Sequence, residues 1–367
     1  MLQTSPPGEV LPSRFTWIMA LGMKISSIGL SVPSMRLNNG QLLDLLKSQQ
    51  TSLSASETHK YYERVARLLD QAGARYRHLR DIESGETAYE HIISAAHSVL
   101  TECSVAASDV DLVIYCGVGR GVIEPSNAYY YASELGMHTA ECFDITDACM
   151  SWVRSLEIAQ MYLATGKASR VLVLTGEFHL NIRSPIDIKG MESLRYNFPT
   201  YTIGEAATAT LLEASSDQWD FQYISRPENF DLCTIPLHGY ETYFRPSSRL
   251  GLNGEGRFVS FGKELFSKAT PLLQNLLKTR GPRVDDIDLY IPHAPSKSEY
   301  AAGRDRLGIP ANKVFLGIFE EFGNIVSSSM PAGIHEARRL GLISAGSRLC
   351  LAPASAGISC ACVTFVL

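Results

Sequence analysis

Residues 143–177 read FDITDACMSWVRSLEIAQMYLATGKASRVLVLTGE, and this stretch decides the class of the fold. Its apolar spacing predicts a short strand over 142–145, a helix from 149 to about 165, and a β-branched, Leu-rich strand over 170–175. A strand, a helix and a second strand in that order are typical of an α/β protein. The same order places a cysteine, Cys149, where the first strand gives way to the helix.

The strand and helix pattern occurs twice along the chain. The segment ASDVDLVIYCGV at 107–118 resembles RVDDIDLYIPHA at 283–294. The unit over 151–177 has a counterpart, SSMPAGIHEARRLGLISAGSRLCLAPA, over 328–354. A repeat of this length predicts two similar lobes around a pseudo-two-fold axis. Because loops at strand ends carry the chemistry in such sheets, we expect the functional site where equivalent junctions meet.

The repeat also suggests how the chain is divided. We expect an N-terminal lobe over 23–215 and a C-terminal lobe over 216–367. Residues 1–22 include three prolines, and we interpret them as a disordered leader; the alternative is a start codon assigned too early, with Met23 as the natural beginning. Residues 178–250 interrupt the repeat and are rich in Pro, Tyr, Arg and Asn. We therefore interpret part of this segment as an insertion that shapes a substrate channel.

The overall composition restricts the class of protein. Hydrophobic residues make up 45% of the 367 residues and charged residues 19%, which fits a globular chain with a large core. The net charge of −5, without a dense Lys/Arg run, argues against a nucleic-acid partner. No stretch reaches the roughly 18 apolar residues that a membrane span needs.

The cysteines and histidines lack the spacing of a metal site. The eight cysteines contain no CxxC pair and the nine histidines form no HExxH motif, so we expect no bound metal. The cysteines are also not spaced like a disulfide framework, and most lie in apolar runs. A reducing cytoplasm is therefore the predicted compartment.

Three predicted strand-to-helix junctions carry side chains capable of chemistry, namely Cys149, His293 and Asn324. Taken singly, they have plainer interpretations: a buried core thiol, a hydrogen-bonded structural histidine and a helix cap. At the start of a helix, the dipole and the backbone N–H groups are expected to lower the pKa of Cys149. Taken together, a thiolate, a neighbour that handles protons and fixed donors are what nucleophilic catalysis requires.

Over roughly residues 23–367 the sequence resembles the β-ketoacyl-acyl-carrier-protein synthase III family of the thiolase superfamily. The stretch 143–177 is similar to the nucleophile segment of that family. DLYIPHAPSKSEYAAGRDRLGIPANKV at 288–314 resembles its histidine segment, and FGNIVSSSMPAGIHEA at 322–337 its asparagine segment. LAPASAGISCACVTF at 351–365 is similar to its Gly-rich closing strand. All four motifs occur in the order of the family.

The resemblance implies a homodimer with the thiolase fold, in which duplicated lobes form five layers, αβαβα. It implies that Cys149 takes an acyl group from coenzyme A or an acyl carrier protein, without a separate cofactor. His293 and Asn324 would bind the thioester carbonyl of a second substrate. The backbone N–H of Cys149, with one near Ala356 or Gly357, would form a first oxyanion site.

The loop GVIEPSNAYYYASELG at 121–136 resembles the loop that reaches the partner's acyl tunnel in the family dimer. An apolar residue is usual where this chain has Glu124. The head-to-head condensing enzymes of long-chain olefin synthesis are similar here, with a glutamate acting as the base on an acyl α-carbon. An apolar tunnel would raise the pKa of Glu124, which suits a general base. The alternative is that Glu124 is an exposed loop residue or a charge at a helix N-terminus without a role in catalysis.

Several positions depart from the pattern of the family. The residue after the nucleophile is Met150 instead of a small one, Ala-Pro-Ser stands at 294–296 for Gln-Ala-Asn, and Ala-Ser-Ala-Gly at 354–357 replaces consecutive glycines. We find no match for the clamp on the adenine of coenzyme A. Asp147 is expected to cap the helix, and the alternative is a carboxylate that opposes ionisation of the thiol.

The predicted activity is a Claisen-type condensation between an acyl group on Cys149 and a second acyl or β-ketoacyl thioester. The departures favour a divergent enzyme of natural-product or lipid biosynthesis. One alternative is an acyltransferase of the same fold that uses an alcohol or amine as acceptor. Another is an inactive partner subunit of a heterodimeric synthase, against which the intact Cys149, His293 and Asn324 set argues.

Overall fold

The computed structural model describes residues 22–47, 53–178 and 188–367 of the chain. Except for residue 22, the predicted leader lies outside these residues. Residues 179–187 of the predicted insertion lie outside them as well.

Strands and helices alternate along the described residues. The strands are β1 (Gly22–Ser31), β2 (Met35–Asn38), β3 (Tyr76–Leu79), β4 (Leu112–Tyr115), β5 (Glu141–Asp144), β6 (Arg170–Glu177), β7 (Ala206–Ser215), β8 (Asp220–Ser225), β9 (Cys233–Thr234), β10 (Val259–Ser260), β11 (Leu289–Ile291), β12 (Arg348–Leu351), β13 (Ala354–Ser355) and β14 (Ser359–Val366). The α-helices are α1 (Asn39–Lys47), α2 (Ala55–Ala72), α3 (Ala88–Glu102), α4 (Asn127–Glu134), α5 (Ser151–Ala164), α6 (Leu194–Asn197), α7 (Gly262–Arg280), α8 (Lys297–Arg306), α9 (Gly317–Phe322) and α10 (Ser329–Arg339). None of these helices has the length and apolar character needed to cross a membrane.

Two of the longer helices begin at capping boxes. Ser54 and Glu57 exchange side-chain to backbone hydrogen bonds at the start of α2, and Thr87 and Glu90 do the same at the start of α3. These bonds satisfy backbone N–H groups that have no partner within the first helical turn. Each helix therefore starts at a residue defined by its own sequence.

The first sheet has the strand order β1-β7-β6-β4-β5. Strand β4 runs parallel to β5 and β6, whereas β7 is antiparallel to β1 and β6. Along β6, Val171 and Val173 face one hydrophobic core while Leu172 and Leu174 face another. Successive side chains of a strand point to opposite faces, so this sheet is buried on both sides.

The second sheet has the order β11-β12-β14-β13, and β8 also pairs with β14. Helices α5 and α10 lie between the two sheets, in a core that both sheets share. Helix α3 packs on the outer face of the first sheet and α7 on the outer face of the second. The layers are therefore αβαβα, which confirms the predicted α/β architecture.

Part of the predicted insertion belongs to the sheets. Residues 206–215 form β7, between β1 and β6 in the first sheet, and 220–225 form β8 in the second. The partial insertion within 178–250 remains a prediction for the residues outside these strands. Strand β7 is antiparallel to β1 and β6, just as β14 is antiparallel to β8 and β12 in the second sheet. Both β7 and β8 lie outside the segments whose repeat is visible in the sequence. The division into two lobes near residue 215 remains a prediction.

The stability of the shared core should be most sensitive to substitution of Trp152 on α5. This side chain is fully buried between the sheets, and its indole N–H donates to Thr210 Oγ1 on β7 at 3.0 Å. Trp152→Ala should lower the free energy of unfolding by about 3–5 kcal/mol, because it leaves a cavity and an unpaired hydroxyl. The measurement is the midpoint of urea-induced unfolding.

Met161→Ala is the matched control, because Met161 lies on the same helix with 58% of its surface exposed. Its effect should stay within about 0.5 kcal/mol. Equal losses in the two variants would contradict the assignment of α5 to the inner layer.

Candidate active site

Cys149 lies in a tight turn between β5 and α5. The turn is a single 3₁₀ unit, Ala148–Met150, and Ala148 has a positive φ of 47°. A non-glycine residue in this region is strained and needs support from its surroundings. Hydrogen bonds supply part of that support, since Met150 N–H donates to the Asp147 carbonyl at 2.9 Å. The turn presents Cys149 to a large cavity.

The capping role predicted for the Asp147 side chain is wrong. Its carboxylate makes no capping hydrogen bond and instead accepts from Arg154 Nε at 3.0 Å. Ser151 stabilises the turn in its place. Its Oγ accepts from Asp147 N–H and donates to the Ala148 carbonyl, each at 2.7 Å. The Arg154 guanidinium, within reach along α5, is the stronger partner for a carboxylate.

His293 follows β11 by two residues and lines the same cavity. Only 2% of its surface is exposed, and its Nδ1 has no hydrogen-bond partner among the described residues. Burial lowers the pKa of His293 to about 4. The imidazole is therefore neutral at pH 7, with one N–H to donate and one nitrogen to accept.

Asn324 is held by its backbone. Its N–H donates to the Thr202 carbonyl at 2.7 Å, and its own carbonyl accepts from Gly204 N–H at 3.2 Å. The preceding residue must be small, because Gly323 has φ 71° and a Cβ there would lie 2.5 Å from the Thr202 oxygen. The Asn324 Oδ1 accepts from Val326 N–H at 3.0 Å. Its Nδ2 has no partner in the part of the chain described, so it is free to donate to a ligand.

A single cavity of about 1610 Å³ brings these side chains together. Cys149, His293, Asn324 and Ala356 all line it, whereas Gly357 does not. Much of the remaining wall is apolar and is formed by Leu68, Leu194, Phe198, Ile203, Ile235, Phe258, Leu265 and Phe266. A wall of this kind suits an acyl chain next to a polar reaction centre.

Glu124 lies outside this cavity within a single chain. Val122 and Ile123 line the wall, but Glu124 does not, and it is exposed. The sequence predicts that an apolar tunnel encloses the Glu124 carboxylate, and a single chain does not form this arrangement.

The predicted lowering of the Cys149 pKa is wrong. Burial raises the pKa of this thiol well above its usual range, and the nearby Cys233 and Glu177 add to the effect. The Ser355 hydroxyl opposes it, as does the backbone N–H of Cys149 itself. Cys149 packs against a small apolar cluster of Ile203 and Val326, both from distant parts of the chain. At neutral pH Cys149 is therefore a thiol that must lose its proton during the reaction.

Sequence reasoning missed three residues near the thiol. Cys233 lines the cavity, Ser355 lies beside Ala356 on the wall, and Glu177 ends β6. Only Glu177 has a signal in the sequence, because a carboxylate at the end of an apolar strand needs buried partners.

Two family models match the chain. One is 3-Oxoacyl-[acyl-carrier-protein (ACP)] synthase III, over residues 143–226. The other is the C-terminal model of the same name, over residues 277–367. The first match includes Cys149, and the second includes His293 and Asn324.

Curated relatives carry the same name. A β-ketoacyl-[acyl-carrier-protein] synthase III of Nitratidesulfovibrio vulgaris (strain DP4) is 29% identical over 305 residues, which cover 79% of this chain and 86% of the relative. The protein of that name from Koribacter versatilis is 25% identical over 344 residues, 92% of this chain and 95% of its own length.

Solved structures with the same fold include Xanthomonas campestris OleA with bound lauric acid and lauroyl-CoA. That structure superposes with a TM-score of 0.78 at 22% identity, covering 94% of this chain and 99% of its own. The 3-oxoacyl-(acyl carrier protein) synthase III FabH from Xanthomonas oryzae gives a TM-score of 0.76 at 22% identity, covering 95% and 100%. At this level of identity the likeness establishes the thiolase fold.

Proposed function

Because the chain is a 3-oxoacyl-acyl-carrier-protein synthase III-like member of the thiolase superfamily, a family of condensing enzymes, we propose that it carries an acyl group on Cys149 and joins it to a second acyl thioester. The observation that carries this proposal is the meeting of Cys149, His293 and Asn324 on one largely apolar cavity. The cavity combines room for an acyl chain with a nucleophile and free hydrogen-bond donors.

In the first half-reaction the sulfur of Cys149 attacks the carbonyl carbon of an acyl thioester. The thiol proton leaves, the bond to the carrier sulfur breaks, and the carrier departs as a free thiol. The oxyanion that forms in between would be bound by the backbone N–H groups of Cys149 and Ala356. Because burial disfavours the thiolate, the proton is best removed as the bond forms.

In the second half-reaction a carbanion at the α-carbon of the second thioester attacks the carbonyl of the acyl group on Cys149. A carbon–carbon bond forms, and the Cys149 sulfur leaves. The free Nδ2 of Asn324 and the N–H of neutral His293 would bind the oxygen of the enolate. An imidazole with a pKa of about 4 donates this hydrogen bond without carrying a charge itself.

The carrier would be coenzyme A or an acyl carrier protein, both of which bear phosphate. Three cationic side chains, Arg64, Lys263 and Arg306, line the cavity and form no ion pair among the described residues. They are available for phosphate groups. A related protein, OleA, binds lauroyl-CoA in its structure.

The proposed chemistry needs no prosthetic group, because Cys149 itself holds the acyl group. All eight cysteines are free thiols, which supports a reducing cytoplasm as the compartment.

The active unit would be a homodimer to which each chain contributes its Glu124. Strand β5 is the edge of the first sheet, with a neighbour on one side only in the described part of the chain. Exposed apolar side chains lie nearby on the 121–136 loop and α4, namely Val122, Ile123, Tyr129 and Tyr130. A free edge beside an apolar patch favours pairing with a second copy. Glu124 would then enter the partner's cavity and remove the α-proton of the second substrate.

The role of Asn324 can be separated from that of Cys149. Asn324→Ala should leave acylation of Cys149 close to wild type and lower the condensation rate by about 10²–10³-fold, because one donor to the enolate is lost. Intact-protein mass reports acylation, and product mass reports condensation. Asn275→Ala, on the exposed face of α7, is the control and should leave both steps unchanged. Equal loss of both steps in Asn324→Ala would contradict this assignment.

The role of Glu124 is tested with two acyl thioesters, neither of them malonyl. Glu124→Gln should still form the Cys149 adduct but should give no condensation product, because the amide cannot accept the α-proton. Glu83→Gln, an exposed glutamate without hydrogen-bond partners among the described residues, serves as the control. Undiminished condensation by Glu124→Gln would exclude it as the base. Transfer to an alcohol or amine, without any carbon–carbon product in the wild type, would favour the acyltransferase alternative.

A further inference from the structure

Glu177, the last residue of β6, is a buried carboxylate without a cation partner. Only 4% of its surface is exposed. No Lys or Arg side chain among the described residues forms an ion pair with it or donates a hydrogen bond to it. A buried charge of this kind is costly unless several donors compensate it, so its hydrogen bonds are informative.

Three separate positions donate to the Glu177 carboxylate. Val118 N–H donates to Oε1 at 3.2 Å and Gly119 N–H to Oε2 at 3.4 Å, both from the loop after β4. Ser327 donates to Oε1 with its backbone N–H at 3.2 Å and with its hydroxyl. The carboxylate therefore joins the loop after β4 to the turn that follows Asn324.

Both joined segments form walls of the active-site cavity. Val118 and Val326 line it together with Cys149 and Asn324. Val326 has a φ of 47°, a strained value for a β-branched residue that requires support from its neighbours. The Glu177–Ser327 hydrogen bonds supply that support directly beside Val326.

We propose that Glu177 is a positioning residue that holds the turn after Asn324 in place and, through its charge, governs the reactivity of Cys149. The inference deepens the proposed function and rests on it for the role of Asn324. The effect on Cys149 can be measured without any acyl substrate.

The effect of the Glu177 charge on Cys149 depends on the groups around the Glu177 carboxylate. Burial raises the pKa of Glu177 to about 7, although the donors from Ser327 and the loop after β4 lower it. Ionised Glu177 in turn raises the pKa of Cys149. The titratable groups that interact with the Glu177 charge are Tyr115 at the end of β4, Cys116 directly after it, and Cys149, whereas the 326–328 turn contributes only hydroxyls.

Burial raises the pKa of Tyr115 and of Cys116, so both stay neutral near pH 7. Glu177 gains its charge as the pH rises through about 7, and that charge then disfavours the Cys149 thiolate.

The test is the pH dependence of Cys149 alkylation by iodoacetamide, read by peptide mass. Glu177→Gln keeps the shape of the side chain and removes its charge. The pH profile of the alkylation rate should therefore shift about one pH unit lower, which makes alkylation at pH 8 about tenfold faster. The wild type should show a break in the slope of log rate against pH near 7, and Glu177→Gln should not. An unshifted profile, or a wild-type slope without a break, would overturn the electrostatic role. The break in the wild-type slope can be measured even if the variant does not fold.

Ser327→Ala separates positioning from charge, because the carboxylate remains while its hydroxyl donor is lost. The condensation rate should fall about tenfold or more. The rate of Cys149 alkylation at high pH, where Glu177 is ionised, should stay unchanged. Unchanged condensation in Ser327→Ala would overturn the positioning role. Glu83→Gln is the control for general effects of charge. A wild type that alkylates as expected but forms no acyl adduct would contradict the proposed function and not the role of Glu177.

Discussion

The site depends on the contact between two strained turns, Ala148–Met150 and Val326–Ser328. Each begins with a non-glycine residue at a φ of 47°, and each leads into one of the two helices between the sheets. Strain of this kind costs on the order of 1–3 kcal/mol at each residue and persists only where the surroundings impose it. The shared core around α5 and α10 imposes it here. Cys149 and Asn324 reach one cavity because these turns meet.

Burial then determines which groups of the site are charged, because it disfavours the charged form of each group. It raises the pKa of Cys149 and of Glu177, and it lowers the pKa of His293 to about 4. Near neutral pH the resting site thus holds a thiol, a neutral imidazole and a carboxylate close to its midpoint. Such a site favours chemistry in which a proton moves as a bond forms, over chemistry that needs a preformed thiolate.

The alternating strands and helices predicted an α/β fold, and the repeat singled out Cys149, His293 and Asn324, whereas the five layers were implied by the family resemblance. Cys149 follows strand β5 of the first sheet and His293 follows β11 of the second, and both line one cavity. Local pattern was wrong about the strand-to-helix junction at Asn324, which lies between helices α9 and α10. It failed for Asp147, whose carboxylate pairs with Arg154, and for the acidity of Cys149, which depends on residues packed from distant segments. Glu177 stands in the opening stretch of sequence, yet its donors lie 59 and 150 residues away. Interactions of that range are not visible in local spacing.

Cys149 is proposed to carry the acyl group, and the mass of the intact protein after mixing with acyl-CoA thioesters of different lengths measures this. We expect the wild type to gain the mass of one acyl group, located on the peptide that contains Cys149, whereas Cys149→Ala should gain none. A wild-type protein without an adduct for any acyl length, or an equal adduct on Cys149→Ala, would contradict it.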